Sequence, residues 1–292
     1  MKLGYIVNHS KYENVKQILK EEFNISDRLL LKLKSNQKIL KNGQITSVHS
    51  PIVKNDLIEV LLDIEEDNSN IVPVKMDLDI LYEDDSMLII NKSPGIPIHP
   101  SRMHYEDSLS NGVSYYFQQV GLKKKIRPVN RLDKDTSGIV IFAKNEYVQE
   151  CLVKQMKQHI FKKEYIAIVE GLLENKSGTI HLPIARKPGS IIEREVTLDG
   201  NGDDAITHYE VVKENSNMSM LHVILETGRT HQIRVHFAYI GHPIIGDTLY
   251  STSSPYIARQ ALHAYKVSFI HPITKTEMSF TCELPEDMKI NI

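Results

Sequence analysis

The alternation of hydrophobic and polar positions changes character after the first fifth of the chain. Over residues 15–23, apolar side chains recur three and four positions apart, which predicts a helix, and a second helical pattern starts near Ser26. Asn42 and Gly43 suit a tight hairpin turn, and the later segment DLIEVLL predicts a strand. We therefore expect residues 1–62 to form a small α/β domain.

Short strand-like segments dominate the remainder of the chain. Residues 63–73 are acidic, polar and aperiodic, which predicts a linker. Within residues 74–292 two helices are predicted, one over 146–159 with Asn145 as its N-cap and one beginning near Thr230. Because helices so rarely separate the strands, the pattern favours an α+β fold with a mixed, mainly antiparallel sheet. The predicted strands are DILYE, MLIIN, GIVIFA, EYIAIVEG, ITHYEVV, LHVILE, HAYKVSF and EMSFTCEL.

Charge and composition narrow the classes of function. The formal net charge is -2, so the chain as a whole gives no sign of nucleic-acid binding, and such binding would need a local basic face. Cys151 and Cys282 are too few for a disulfide framework and do not form a metal-binding spacing. The sequence has no apolar run of membrane-spanning length and no signal-peptide pattern at its start. We expect a soluble, cytoplasmic protein.

A dense polar segment, NRLDKDTSG, runs directly into the predicted strand GIVIFA. Asp133 would lie on a loop held by a buried strand, where catalytic groups are commonly presented. Taken alone, an aspartate here is more simply a turn-forming residue. If the segment is already extended before Gly138, we expect Asp133 and Asp135 to point to opposite faces, so that only one enters a cleft. The choice depends on residues elsewhere in the chain.

A second polar segment, LETGRTHQIRVHFAYIGHPIIGDTLY, follows the end of another predicted strand. Thr230 is expected to cap a helix that carries His231 and Arg234 on one face. Together with Arg229, the strand end and the helix start form a good site for an anion or a carboxylate. A surface helix rich in arginine explains either arginine alone equally well. His231 and His236 lie five apart and match no zinc pattern, so hydrogen-bonding histidines are favoured.

The third candidate is Tyr165 in the segment KKEYIAIVEG. Strand alternation places it on one face with Ala167 and Val169, which is typical of a core tyrosine with a satisfied hydroxyl. An aromatic ring beside cations is also how proteins stack on a nucleobase. The residues themselves leave both interpretations open.

Together these segments resemble the RluA/RluD-type pseudouridine synthases. Five motifs occur in the order found in that family and cover nearly all of residues 74–292, which makes the resemblance specific. Residues 1–62 resemble more loosely the small ribosomal-protein-S-four-like RNA-binding domain that many members carry. The five motifs are LYEDDSMLIINKSPGIPIHPS, RLDKDTSGIVIFAKN, KKEYIAIVEG, TGRTHQIRVHFAYIGHPIIGD and ALHAYKVSFIHP.

The resemblance implies a pseudouridine synthase fold with a central cleft, and isomerisation of uridine to pseudouridine in structured ribosomal or transfer RNA without cofactor or metal. It implies that Asp133 is the catalytic carboxylate and that Arg234 pairs with it. Arg131 would fill the space left by the flipped base, Tyr165 would stack on that base, and Leu262 would pack beneath the uracil. Positions implied to support the site or to bind the RNA backbone are Lys92, Arg229 and His231.

One position departs from the family pattern. Asn130 stands where the family usually has histidine before R-L-D, and we expect altered loop hydrogen bonding with activity retained. RNA is the expected partner, and a monomer is expected. The basic segment LKKKIRP and the pair Lys162 and Lys163 are candidates for contacts with RNA phosphates, although an ordinary solvated surface explains each lysine alone better. An alternative is an RNA-binding or chaperone-like protein on the same scaffold without catalysis. A hydrolase is less favoured, because neither a suitably spaced carboxylate pair nor a G-x-S-x-G segment is present.

Overall fold

The N-terminal part of the molecule is a four-stranded antiparallel sheet with two helices, in a computed structural model that describes residues 1–8, 11–290 and 292. His9 and Ser10, within the predicted N-terminal domain, and Asn291 lie outside the described residues. The strand order is β1-β4-β2-β3. The elements are β1 (Lys2–Ile6), α1 (Val15–Glu21), α2 (Asp27–Ser35), β2 (Ile39–Lys41), β3 (Gln44–Ile45) and β4 (Leu57–Leu61).

Local chemistry explains most of these elements. The Ser26 side chain accepts from the Leu29 N–H and caps α2, as expected. Asn42 and Gly43 have φ values of 53° and 79°, the positive values that a two-residue hairpin turn between β2 and β3 requires, so the predicted turn is confirmed. The pattern did not predict β1, because neither of its faces is buried and it is defined by its pairing with β4.

Nine of the remaining strands form a sheet in the order β5-β6-β7-β14-β8-β13-β12-β9, with β15 beside β14, and β10 and β11 pair antiparallel in a separate two-stranded sheet. Among the described strands of this sheet, only β7 and β14 pair in parallel, which confirms the mixed, mainly antiparallel α+β fold. The elements of this part are β5 (Asp79–Glu83), β6 (Met87–Lys92), α3 (Leu109–Gln119), β7 (Ser137–Ala143), α4 (Glu146–Lys157), β8 (Lys162–Glu170), β9 (Ser177–His181), β10 (Ile184–Arg186), β11 (Arg194–Val196), β12 (Ile206–Glu214), β13 (Met218–Leu225), α5 (Gln232–Tyr239), β14 (Leu262–Ile270), β15 (Glu277–Thr281) and a 3₁₀ turn at Glu286–Met288.

The predicted helices agree in part with the structure. Asn145 caps α4 by accepting from the Val148 N–H, as expected. Thr230 does not cap α5, because His231 occupies the N-cap position in a left-handed conformation with φ 59° and makes no side-chain cap. Helix α3 was not predicted, since much of its buried face consists of small and polar residues rather than a periodic apolar stripe.

Side chains of the central strands alternate between two hydrophobic cores. In β6, Leu88 and Ile90 face the core that contains α3, while Met87 and Ile89 face the opposite core. This second core also includes residues of α4 and, from the N-terminal sheet and helices, side chains such as Leu29. The N-terminal part therefore packs directly on the central sheet.

The predicted linker, residues 63–73, has no helix or strand. Ion pairs hold it to the segment LKKKIRP and to α2, and we call this set of ion pairs the seam. Glu66 accepts from both terminal nitrogens of Arg127, at 2.7 and 2.6 Å, and Lys124 pairs with Asp63 at 2.8 Å. The Lys32 side chain bridges Glu66 to Glu146 of α4. The basic segment LKKKIRP thus faces an acidic strap, so it is not a free basic surface for RNA.

Candidate active site

The loop that carries Asp133 is a turn rather than an extended segment. The Thr136 N–H donates to the Asp133 carbonyl at 3.1 Å, and β7 begins only at Ser137. The expectation that Asp133 and Asp135 point to opposite faces of an extended segment is wrong on both counts, because the segment is a turn and because residues two apart in a strand would share a face. The turn leaves the Asp133 side chain 26% exposed, so its carboxylate can meet a substrate.

Asn130 anchors the other end of this loop. It is buried, and its Nδ2 donates to the Ile139 carbonyl while its Oδ1 accepts from the Ile141 N–H, both at 2.9 Å. One amide side chain thus binds the backbone of β7 on either side of Val140. The hydrogen bonds of the loop are complete with asparagine, which supports the prediction that activity is retained.

Close contact between β7 and β14 brings the loop to the second half of the site. Gly138 has φ 114°, and a Cβ atom at this position would lie 2.3 Å from the Ala264 carbonyl oxygen. Only glycine permits this approach. Ser137 Oγ lies 2.9 Å from His263 Nδ1, which adds a side-chain link between the two strands. Leu262, the first residue of β14, consequently lies beside the Asp133 loop.

Arg234 of α5 lies between two carboxylates. Its Nε and Nη2 donate to Asp247, both at 2.7 Å, and its Nη1 donates to Asp133 at 2.9 Å. Burial by itself lowers the pKa of Arg234, but the two carboxylates raise it further, so the guanidinium stays charged. A fixed positive charge therefore orients Asp133.

His231 and Tyr250 complete this side of the site. Tyr250 OH lies 2.8 Å from His231 Nδ1, and the Tyr250 ring lies 5.1 Å from the centre of the Arg234 guanidinium. Burial lowers the pKa of His231, with the Asp133 charge acting in the opposite direction. A neutral imidazole 3.8 Å from Asp133 leaves Arg234 as the main cation at that carboxylate.

These groups surround a pocket of about 60 Å³ that lies beside a wider cleft of about 700 Å³. Tyr165 is 6% exposed and lines both, and burial raises the pKa of its hydroxyl, with the Asp133 charge adding to the effect. The structure brings seven of the eight predicted site residues to the pocket wall: Asp133, Arg234, Tyr165, Arg131, Leu262, Arg229 and His231.

Lys92, the eighth predicted residue, does not reach the cleft. It is 1% exposed, and its Nζ donates to the carbonyls of Ser93 and Lys134 at 2.9 and 2.8 Å. Burial lowers the pKa of Lys92 to about 7, although the charges of Asp135 and Asp133 oppose the shift. The prediction that Lys92 binds the RNA backbone is wrong, whereas its alternative role as a support of the loop agrees with these bonds.

Sequence reasoning missed three residues that organise the site. Asp247 is 1% exposed and holds Arg234, and Tyr250 packs on the same guanidinium. Arg259 donates to both carboxylate oxygens of Asp287, at 2.7 and 2.8 Å, and to the Asp135 carbonyl at 3.0 Å. Asp247 is the last residue of the motif TGRTHQIRVHFAYIGHPIIGD, but the sequence does not distinguish a buried aspartate from a surface one.

Two negative findings apply to the described part of the chain. It contains no group of three or more histidine, cysteine, aspartate or glutamate side chains that could hold a metal ion. Its helices include none with the length and apolar character needed to cross a membrane. The side chains that line the pocket include a carboxylate, a charged guanidinium, a phenol and apolar groups.

Comparisons with known proteins agree with this geometry. A family model described as RNA pseudouridylate synthase matches residues 86–239. The chain is 42% identical over 268 residues to the uncharacterized RNA pseudouridine synthase YjbO of Bacillus subtilis (strain 168), covering 91% of this chain and 94% of that protein. It is 34% identical over 274 residues to the ribosomal large subunit pseudouridine synthase D of Blochmanniella floridana, covering 87% and 85%.

A solved structure shows the same fold. Human RNA pseudouridylate synthase domain containing 1 superimposes with a TM-score of 0.59 at 24% sequence identity, covering 71% of this chain and 83% of that one. The architecture is thus shared with a protein of low sequence identity.

Proposed function

The chain belongs to the RNA pseudouridylate synthase family and converts uridine to pseudouridine in RNA, and we propose that Asp133 carries this reaction. The observation that supports Asp133 most strongly is its position at the pocket wall, oriented by the Nη1 of Arg234 at 2.9 Å. Asp135 is not among the residues that line this pocket, and Arg259 binds its backbone carbonyl.

The reaction breaks the bond between the ribose and uracil N1, turns the detached ring and joins the ribose to C5. A carboxylate beside the sugar and base can act in these steps, and Arg234 Nη1 orients that of Asp133 at 2.9 Å. The base must first leave the RNA stack, at a cost of roughly a few kcal/mol. Tyr165 provides an aromatic face that offsets part of this cost, and we assign Leu262 to the opposite wall beneath the uracil.

The remaining predicted residues fit positions around the target nucleotide. Arg131 is exposed at the edge of the pocket, where its side chain can enter the space that the flipped base vacates. Arg229 and His231 line the same pocket near the start of α5. We assign both to the nucleotide that enters, and Lys92 to support of the Asp133 loop.

We propose ribosomal RNA of the large subunit as the substrate, because relatives along most of this chain bear the name ribosomal large subunit pseudouridine synthase D. Transfer RNA is the competing outcome. We also propose a monomer, in which one chain supplies Asp133, Arg234 and Tyr165, that acts in the cytoplasm, where ribosomal RNA is found. We also propose residues 1–62 as an RNA-binding domain joined through 63–73 to the catalytic domain over 74–292.

The test compares Asp133→Asn with Asp135→Asn. Both substitutions are nearly isosteric and remove one charge from the same loop. Asp133→Asn should lower turnover on the order of 10⁴-fold, the scale observed when a participating side chain is removed, while folding and RNA binding persist. Asp135→Asn should retain substantial activity. Pseudouridine is mapped in total RNA from a strain that lacks the enzyme, after incubation with each variant.

Appreciable turnover by Asp133→Asn would overturn the assignment, as would complete loss in a folded Asp135→Asn variant. Thermal melting and RNA binding of the same preparations separate loss of chemistry from loss of fold. The modified position also identifies the RNA. Modification confined to transfer RNA would overturn the proposed substrate but leave the catalytic assignment intact.

A further inference from the structure

A second cation reaches the cleft from the strand that carries Tyr165. Lys163 and Tyr165 lie two residues apart on β8, so they share one face of the strand at a spacing of about 7 Å, and both line the wider cleft. Lys162 has the opposite orientation in this alternation and is exposed. The strand therefore directs one lysine of the pair into the cleft and the other to solvent.

The ammonium of Lys163 is unpartnered, which is unusual for a lysine removed from solvent. Within the described residues, its Nζ takes part in no hydrogen bond, ion pair or cation–π contact, and burial lowers its pKa. The buried Lys92 differs, because two carbonyls accept from its Nζ. The adjacent Glu164 offers no compensation, since its carboxylate binds His222 and Lys266.

The surroundings of Lys163 Nζ explain how it reaches the cleft wall. A Cβ atom at Gly228 would lie 2.9 Å from Nζ, so glycine at this position permits the ammonium to lie against it. Arg229 follows directly and also lines the cleft, with its Nε bound to the Asp204 carbonyl. Lys163 and Arg229 consequently add positive charge to the same cleft, which Arg131 and Lys157 also line.

Resting on the function proposed above, we propose that Lys163 binds an RNA backbone phosphate beside the flipped uridine. A half-buried cation without a partner is costly to the free enzyme, and a phosphate supplies the charge and the acceptor oxygens that the protein lacks. A nucleotide whose base lies on Tyr165 extends its backbone along the same face of β8, toward Lys163. The residue therefore binds substrate and takes no part in bond breaking.

The experiment uses Lys163→Met with Lys162→Met as the matched control, in the full chain. The probe is unmodified large-subunit ribosomal RNA transcribed in vitro, and its dissociation constant is measured over a series of KCl concentrations. Lys163→Met should weaken binding on the order of tenfold and reduce the slope of log K against log salt by about 0.7 to 1, as expected for one lost phosphate contact. Lys162→Met should change neither quantity.

Thermal melting distinguishes this role from a structural one. Removing an unpartnered, half-buried charge should raise the melting temperature of the free enzyme by roughly 2 to 4 °C, while RNA affinity falls. Lys163→Arg, which keeps the charge, should preserve the salt slope. An unchanged slope in Lys163→Met, an equal change in Lys162→Met, or a lower melting temperature in Lys163→Met would each overturn the proposal.

The result is independent of the assignment of Asp133. Turnover at saturating RNA should stay near the wild-type value in Lys163→Met, with the defect confined to KM. Asp133→Asn should show the reverse, normal affinity and salt slope without turnover. Persistent activity in Asp133→Asn therefore overturns the catalytic proposal alone, and an unchanged salt slope in Lys163→Met overturns the phosphate proposal alone.

Discussion

The cleft and the seam each contain a buried arginine held by a carboxylate through two hydrogen bonds, yet only one of them builds a reactive site. At the seam, Glu66 binds both terminal nitrogens of Arg127. In the cleft, Asp247 binds Nε and Nη2 of Arg234, so Nη1 points onward to Asp133. The orientation of the guanidinium decides whether a donor remains available for a third group.

This difference shows how one interaction serves two purposes. The end-on pair at the seam satisfies both partners and fastens residues 63–73 to the neighbouring segment. The side-on pair in the cleft fixes Arg234 as firmly and leaves one charged donor directed at a carboxylate that faces a cavity. Breaking either pair should therefore lower the free energy of unfolding. Only breaking the cleft pair should lower the turnover of the folded enzyme.

The strongest way to test this contrast is Asp247→Ala. Removing the carboxylate leaves Arg234 buried with Asp133 as its remaining partner, which should lower the free energy of unfolding by about 3–5 kcal/mol. Turnover of the folded fraction should fall by about 10²-fold, because Arg234 no longer holds Asp133 in place. Denaturant unfolding and single-turnover kinetics on the same sample measure both effects. Normal turnover per folded molecule would mean that Asp247 has only a structural role.

Glu66→Ala is the matched substitution at the seam. It should lower the free energy of unfolding by about 3 kcal/mol, since Arg127 is left buried without its carboxylate. The turnover of the folded enzyme should equal that of the wild type. Unfolding curves and kinetics are compared with those of Asp247→Ala. A loss of turnover here would show that the seam supports the cleft and would remove the contrast.

Substitutions at Tyr165 test the cleft side of the comparison between the cleft and the seam. Tyr165→Leu removes the aromatic face and should weaken the transition-state complex by about 1–3 kcal/mol, measured as kcat/KM with RNA. Tyr165→Phe keeps the ring and should bind RNA normally, and any fall in its kcat would indicate a proton-transfer role for the hydroxyl. Equal kcat/KM values for the two variants would identify Tyr165 as a core residue only.

The smallest expected effect concerns pH. The pKa of Lys92 falls from 10.5 to about 7 on folding because of burial, so between these values the unfolded chain binds more protons than the folded one. Stability attributable to Lys92 should therefore rise with pH across this window, by at most about 1.4 kcal/mol per unit, and be constant below it. Unfolding of wild type and Lys92→Met at pH 7 and 9 measures this slope as a difference. Identical slopes would refute the shift.

The sequence predicted the residues of the pocket wall better than the residues that hold them. Asp133, Tyr165 and Arg234 lie in distinctive motifs, and the structure brings them to one pocket wall. Asp247 and Arg259 were missed because their roles depend on burial and on partners that are distant in sequence. Asp247 binds Arg234, and Arg259 binds Asp287 and the Asp135 carbonyl. Lys92 was misjudged for the same reason, since a motif does not show that a lysine is 1% exposed.

The helices, strands and turns show a similar division between what the local sequence predicts and what depends on distant contacts. Elements with a local cause were predicted, such as α4 behind Asn145 and the Asn42–Gly43 turn. Helix α3 was not, because its buried face contains Asn111 and Gly112, which pack against partners that the local pattern does not reveal. The strap over residues 63–73 was recognised as irregular, but its charge pairing with LKKKIRP depends on the folded path of the chain.

The parallel pairing of β7 with β14 also determines when the enzyme becomes competent during folding. Ser137 and His263 are 126 residues apart in sequence, so their contact requires closure of a long loop after nearer contacts have formed. Helix α4 and the hairpins can form early from neighbouring residues. The Asp133 loop, by contrast, meets Leu262 only when β14 inserts between β7 and β8, so catalytic competence is a late event in the maturation of the chain.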